Sequence, residues 1–231
     1  MQFSMLILPV VIPVLFWAGY HYHKDRHLPE PVGHLVVAFL LGAGSYWLGI
    51  AMYEGLGYLG LRQDAYLLAE ENPAGLLLYA LLAIGPIEEL AKLLPFVIIV
   101  IRFKEFDEPI DGIIYASFIA LGFSAVENYF YLGFVSNLVA IARGFAGPIV
   151  HMVLASIWGY YIGRAWLQRA HVARTTFLSL GAAALLHGVY DYLVIAMPAY
   201  ALPTSALLVL GVWIWRLFLL RALHREARDT S

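Results

Sequence analysis

Apolar positions in this chain come in long runs rather than in the short alternating or 3.6-periodic stretches of a water-soluble fold. Seven segments are long enough to cross roughly 30 Å of hydrocarbon at about 1.5 Å per helical residue. They are Phe3–Tyr20, Gly33–Tyr53, Ala74–Ile101, Ile110–Leu132, Gly144–Trp166, Thr176–Met197 and Ser205–Leu223. The pattern predicts an all-α, polytopic transmembrane helix bundle of about seven spans, with Asn137–Arg143 forming an interfacial helical turn before the fifth. The first run has no Lys or Arg ahead of it and no small-residue cleavage site behind it. It therefore reads as a retained span rather than a secretory signal.

The connections between runs alternate in basic content. One set carries Lys24 and Arg26; Arg102 and Lys104; Arg164, Arg169 and Arg174; and Arg221, Arg225 and Arg228. The other set carries only Arg62 and Arg143. An excess of Lys and Arg marks cytoplasmic connections, so the N-terminus is expected outside and the C-terminus in the cytoplasm. Trp17, Tyr20, Tyr53, Trp166 and Tyr200 near span ends suit interfacial aromatic belts.

Composition agrees with the pattern. Hydrophobic residues make up 62% of 231, charged residues 13%, and mean hydropathy is +0.77. A soluble domain carries about 25% charged residues. Net charge is −2, so there is no basic footprint for nucleic acid. No cysteine is present, which excludes disulfides, thiolate catalysis and cysteine metal sites. Residues 1–231 read as one transmembrane domain without low-complexity segment, clear repeat or lipidation motif.

Ionisable side chains inside the runs change the picture. A charge at the bilayer centre costs on the order of 3 kcal/mol on insertion scales, so such residues mark function by default. Glu88, Glu89 and Lys92 lie in the third run, Glu127 in the fourth, His151 in the fifth, and His187 and Asp191 in the sixth. Their depths agree. Glu88 is roughly 21 Å from Arg102 along a helix, Glu127 roughly 24 Å from Asp111, and His151 and His187 each roughly 20 Å from Arg164 and Arg174. Because successive spans reverse direction, four helices are expected to bring polar groups to one layer in the outer half of the bilayer. Glu88 and Lys92, at i and i+4, are expected to share a face as an ion pair. His187 and Asp191 have the same spacing, so the carboxylate can orient the imidazole. Asn128, beside Glu127, offers an amide donor to an oxyanion or a substrate backbone. Gly85, Gly122, Ser124, Gly147 and Gly188 permit close helix approach. Pro86 and Pro148 can loosen the helix ahead of Glu88 and His151. His34, His171 and His224, and the pair Glu70–Glu71, read as ordinary solvated groups near the interfaces.

Glu88-Glu89-x-x-Lys92, Phe123-x-x-x-Glu127-Asn128, His151 and His187-x-x-x-Asp191, with Asp111-Gly112 opening the fourth span, together resemble the ordered motifs of the PrsW family. That family comprises bacterial intramembrane proteases related to the CAAX prenyl endopeptidases and bacteriocin-processing proteins. The resemblance covers roughly Gly85–Tyr192, within a catalytic core of about residues 74–197. Glu127 stands where the prenyl endopeptidases carry histidine, and Asp191 where they commonly carry asparagine, which favours the PrsW branch. The resemblance implies a multi-pass protein of the bacterial cell membrane that makes the first cut in a single-span, anti-sigma-factor-like substrate within the bilayer. It implies Glu88 as general base, with Glu89, Glu127, His151, His187 and Asp191 as further catalytic candidates. Lys92, Asn128, Phe123 and Asp111 are supporting candidates.

Two questions stay open at this level. Glu88, Glu127, His151 and His187 could together ligate a divalent metal such as zinc, or they could activate water unaided; no H-E-x-x-H helix is present. His187 can stabilise the oxyanion or protonate the leaving amine, and His151 suits either role. The competing class is a proton- or ion-coupled transporter, which also places carboxylates and histidines inside a bundle. Seven spans without an inverted repeat divide poorly into the two halves of a carrier.

Overall fold

A computed structural model describes residues 2–24, 30–131 and 137–197, together with 203, 206, 207, 210–219 and 221. Its elements are α1 (Gln2–Lys24), α2 (Val32–Tyr58), α3 (Ala65–Glu71), α4 (Pro73–Tyr79), α5 (Gly85–Ile98), α6 (Pro109–Tyr131), α7 (Asn137–Leu167) and α8 (Val172–Ala196). A further apolar helix, α9, occupies Leu210–Leu219. The protein is all-helical among the described residues. Among the described residues, three helices are long and apolar enough to cross a membrane by length and composition: α2, α6 and α8. Arg26, Tyr200, His224, Arg225 and Arg228 lie outside the described residues.

Two expected boundaries are corrected. The segment Asn137–Arg143 is no separate interfacial turn, because α7 runs unbroken from Asn137 through Pro148 to Leu167. The third run is no single α-helix. A π-helical turn, Ala80–Ile84, joins α4 to α5, and a 3₁₀ turn, Val100–Arg102, ends the path. Pro86 accounts for the π turn: proline has no N–H to give the preceding turn, and its ring crowds the carbonyl four residues back. The widened turn ends four residues before Glu88.

Helix α6 is the central post. Of its most apolar stretch 83% is buried, against 28% for α2 and for α8. Every residue from Ile110 to Ser124 is buried, because neighbours cover all sides of this helix. The neighbours come close through glycine. A Cβ on Gly122 would stand 1.9 Å from the Phe39 carbonyl oxygen of α2, and one on Gly112 would stand 2.2 Å from the Gly159 oxygen of α7. The α5–α8 seam is equally tight. A Cβ on Gly85 would be 2.1 Å from the Ala184 oxygen, and one on Gly188 would be 2.4 Å from the Ala80 oxygen. Small residues are what allow backbones to touch where no hydrophobic force drives helices together.

The cytoplasmic-side connection expected around Arg102–Asp111 is tied down by polar contacts. Asp111 Oδ2 accepts from the backbone N–H groups of Asp107 (2.9 Å) and Glu108 (2.7 Å). Glu30 accepts from the Tyr115 hydroxyl, and burial pushes its carboxyl above the usual range.

The seam predicts a contrast between two glycines of α8. Gly188→Ala should lower the thermal midpoint in detergent, with overpacking costing about 1–3 kcal/mol. Gly181→Ala, which meets nothing within 4 Å, should leave the midpoint unchanged or raise it. Equal midpoints for the two variants would mean that the seam is not as tight as described.

Candidate active site

Four helices deliver the polar layer. Glu88 comes from the first turn of α5, Glu127 from the C-terminal part of α6, His151 from α7, and His187 and Asp191 from successive turns of α8. All five line one cavity of ≈ 250 Å³. The two imidazole rings meet edge to face with centroids 5.0 Å apart. His151 Nε2 lies 2.8 Å from Glu127 Oε2. His187 Nε2 faces Glu88 Oε2 at 3.5 Å and Asp191 Oδ2 at 3.6 Å. Phe123 also lines the cavity, its ring 5.4 Å from that of His151. The same cavity extends to Arg62, Gln63 and Tyr66 in and after the α2–α3 connection, where Arg62 pairs with Glu54 at 2.5 Å.

Behind this wet face is a dry one. Glu89 and Lys92 have no solvent exposure, and Lys92 Nζ donates to Glu89 Oε1 at 2.6 Å. Lys92 Nζ is also 3.0 Å from His151 Nδ1 and 4.9 Å from the centre of the Phe123 ring. Glu89 in turn accepts from the Trp158 indole N–H (2.8 Å) and lies 2.7 Å from His187 Nδ1. The expected Glu88–Lys92 ion pair is therefore corrected: the ammonium pairs with Glu89 instead. The reason is solvation. Glu88 turns toward the cavity, whereas a dehydrated ammonium needs several close acceptors, which the dry face supplies.

The remaining candidates fall elsewhere. Asn128 is buried at the α6–α7 contact, where a Cβ on Gly147 would lie 3.3 Å from its amide; it does not line the cavity. Asp111 anchors the loop before α6. Trp158 was not singled out by sequence. It lies seven residues after His151, on the same face of α7, but an apolar-looking residue in a long apolar run carries no polar signal.

A metal fits part of this arrangement. Glu88, His151 and His187 can each offer a ligand atom within 4.8 Å of the others. Two imidazoles and a carboxylate are a donor set of catalytic zinc sites. His187 also has the supporting contact that such a ligand needs, a carboxylate on its other ring nitrogen. Glu127 is not in this group, contrary to the four-ligand expectation, because its carboxylate is engaged with His151 Nε2. His151 is held at both nitrogens, so it would join a metal only by exchanging Glu127 for the ion.

Comparison with known proteins agrees with the geometry. The family described as PrsW family intramembrane metalloprotease matches residues 30–221. The chain is 30% identical over 218 residues to Protease PrsW of Clostridioides difficile, covering 92% of this chain and 87% of that protein. It is 31% identical over 190 residues to Protease PrsW of Bacillus subtilis, covering 81% of each. For Protease PrsW of Geobacillus kaustophilus the identity is 31% over 215 residues, with 90% and 87% covered. No solved structure matches the chain.

The dry pair makes a stability prediction. Glu89→Gln removes the countercharge of a fully buried ammonium and should cost about 3–5 kcal/mol. A fall in thermal midpoint in detergent should exceed that of Glu88→Gln, whose carboxyl lines the cavity. A smaller loss for Glu89→Gln than for Glu88→Gln would contradict the assignment of Glu89 to the dry side.

Proposed function

The chain belongs to the PrsW family of intramembrane proteases, and from that membership we propose that it hydrolyses a peptide bond in a single-span membrane protein. The cut falls near the extracytoplasmic face of a bacterial cell membrane, and an anti-sigma-factor-like protein is the substrate class. The observation that carries this reading is one cavity in which two glutamates and two histidines from four helices converge. Its extension to the α2–α3 connection supports the outer-face placement, since Arg62 lies on the sparsely basic, external side of a seven-span, N-outside topology.

The chemistry follows from the side chains. Hydrolysis needs water held against the scissile carbonyl and a group to take its proton. Glu88 borders the cavity and faces His187 Nε2, so it is the base that removes the proton from water. The carboxyl then returns that proton to the departing amine. Asp191, one turn beyond His187, faces the same ring nitrogen and orients the imidazole beside Glu88. Glu127, hydrogen-bonded to His151, is the second carboxylate in reach of the water. Glu88, His151 and His187 would hold a divalent cation, whose contribution would be Lewis acidity toward the carbonyl and a lowered pKa of bound water. Glu127 is then the carboxylate left to accept the proton.

Glu88→Gln is expected to abolish cleavage of a membrane-anchored reporter while the protein stays folded in detergent. Cleavage at the wild-type rate would remove Glu88 from the reaction. For the metal, elemental analysis of purified protein should find about one zinc per chain, and His187→Ala should lose it. Full activity after chelation, in protein shown to be metal-free, would leave the scheme in which carboxylates alone activate water.

A further inference from the structure

Proton positions at the two histidines follow from their partners. An ammonium and an indole N–H can only donate, and an ionised carboxylate can only accept. Lys92 therefore donates to His151 Nδ1 at 3.0 Å, which leaves that nitrogen bare and puts the ring proton on Nε2, directed at Glu127. Glu89 already accepts from Lys92 and Trp158, so His187 Nδ1 carries its proton and donates at 2.7 Å. His187 Nε2 faces Glu88 and Asp191 across the cavity wall.

We propose that Glu89, Lys92 and Trp158 form a positioning unit that fixes opposite proton placement at the Nδ1 atoms of the two active-site imidazoles, His187 donating an Nδ1–H to Glu89 and His151 accepting from Lys92 at a bare Nδ1, so that its Nε2–H is directed at Glu127. This rests on the protease reading for its purpose, though not for its geometry. One carboxylate serves both rings: it orients His187 directly, and it fixes the ammonium that orients His151. Trp158 completes the unit by holding the second oxygen of Glu89. Its own ring packs edge to face on Phe96 at 5.2 Å. The unit lies outside the cavity, so none of its members meets substrate. Its effect on the reaction is through the direction in which each imidazole presents a lone pair or a proton.

The test is nitrogen-15 spectroscopy of the metal-free protein in detergent with labelled histidine. The rings are assigned by difference against His151→Gln and His187→Gln. In the wild type, His187 should carry a proton on Nδ1, and His151 should carry its proton on Nε2. Lys92→Met should move the His151 proton toward Nδ1 while His187 is unchanged, and Lys92→Arg, which keeps a donor, should restore the wild-type pattern at His151. Trp158→Phe keeps the ring and removes only the donor. It should lower kcat roughly tenfold to hundredfold with KM unchanged. An unprotonated His187 Nδ1, or a His151 tautomer that does not respond to Lys92→Met, would overturn the proposal. The two readings fail separately. Inactive Glu88→Gln together with the wrong tautomers would sink the positioning unit alone. The stated tautomers together with active Glu88→Gln would sink the role of Glu88 and leave the unit standing.

Discussion

A carboxylate and an ammonium, both without solvent exposure, meet at 2.6 Å between α5, α7 and α8. Removing two such ions from water costs several kcal/mol each, and their mutual attraction offsets this only if their other hydrogen-bonding positions are also filled. That requirement organises the interior. Glu89 must find donors for both oxygens, which are Lys92, Trp158 and His187; Lys92 must find a second acceptor, which is His151. Each partner is thereby fixed in place by the demands of a charge that cannot reach water. The imidazoles that line the cavity are held from behind by this pair rather than by one another.

The glycine seams serve the same constraint. A contact such as Glu89 Oε1 to His187 Nδ1 at 2.7 Å spans from α5 to α8, and the side chains can reach only if the backbones nearly touch. Gly85 and Gly188 provide that approach, with the would-be Cβ atoms inside 2.5 Å of the opposing carbonyl oxygens. Gly122 against Phe39, and Gly112 against Gly159, do the same around α6, fixing the helix that carries Glu127. Inside a bilayer, apolar side chains gain little by leaving lipid for protein, so packing of small residues and polar contacts must supply the cohesion. Here both occur at the same seams.

Much of this was legible in the sequence, for a physical reason. Charges inside apolar runs are rare enough to name themselves, and equal depths on antiparallel helices meet in space whatever the details of packing. Glu88, Glu127, His151, His187 and Asp191 were found that way, and all five border one cavity. What sequence misassigned depends on rotation about an axis. Lys92 is four residues from Glu88 and three from Glu89, and both spacings bring side chains together on a helix. Only the presence of His151 and Trp158 on α7 decides between them. Asn128 looked available because it adjoins Glu127, but one residue is about 100° of rotation, enough to turn it from the cavity into the α6–α7 contact. Trp158 was invisible because its one polar atom is hidden in an apolar ring, and Pro86 signalled a loosened helix without specifying a π turn.

The adjacency of Glu88 and Glu89 then has a mechanical reading. The proposed hydrolytic scheme has opposed needs: a carboxylate that meets water and can exchange a proton, and a carboxylate that stays ionised and immobile so that the imidazoles keep their orientation. One group cannot do both, since the hydration that permits exchange weakens the electrostatic hold. Two consecutive residues on a helix diverge by about 100°, so α5 presents one glutamate to the cavity and the next to the dry seam. This works only if α5 is wet on one side and packed on the other. The π turn before Glu88 lies where α4 passes into α5, at the Gly85–Gly188 seam, and so bears on how this helix meets α8. Moving either glutamate by one position would place a carboxylate where its environment cannot support its task, which is why the pair and the helix that carries it are best understood as one device.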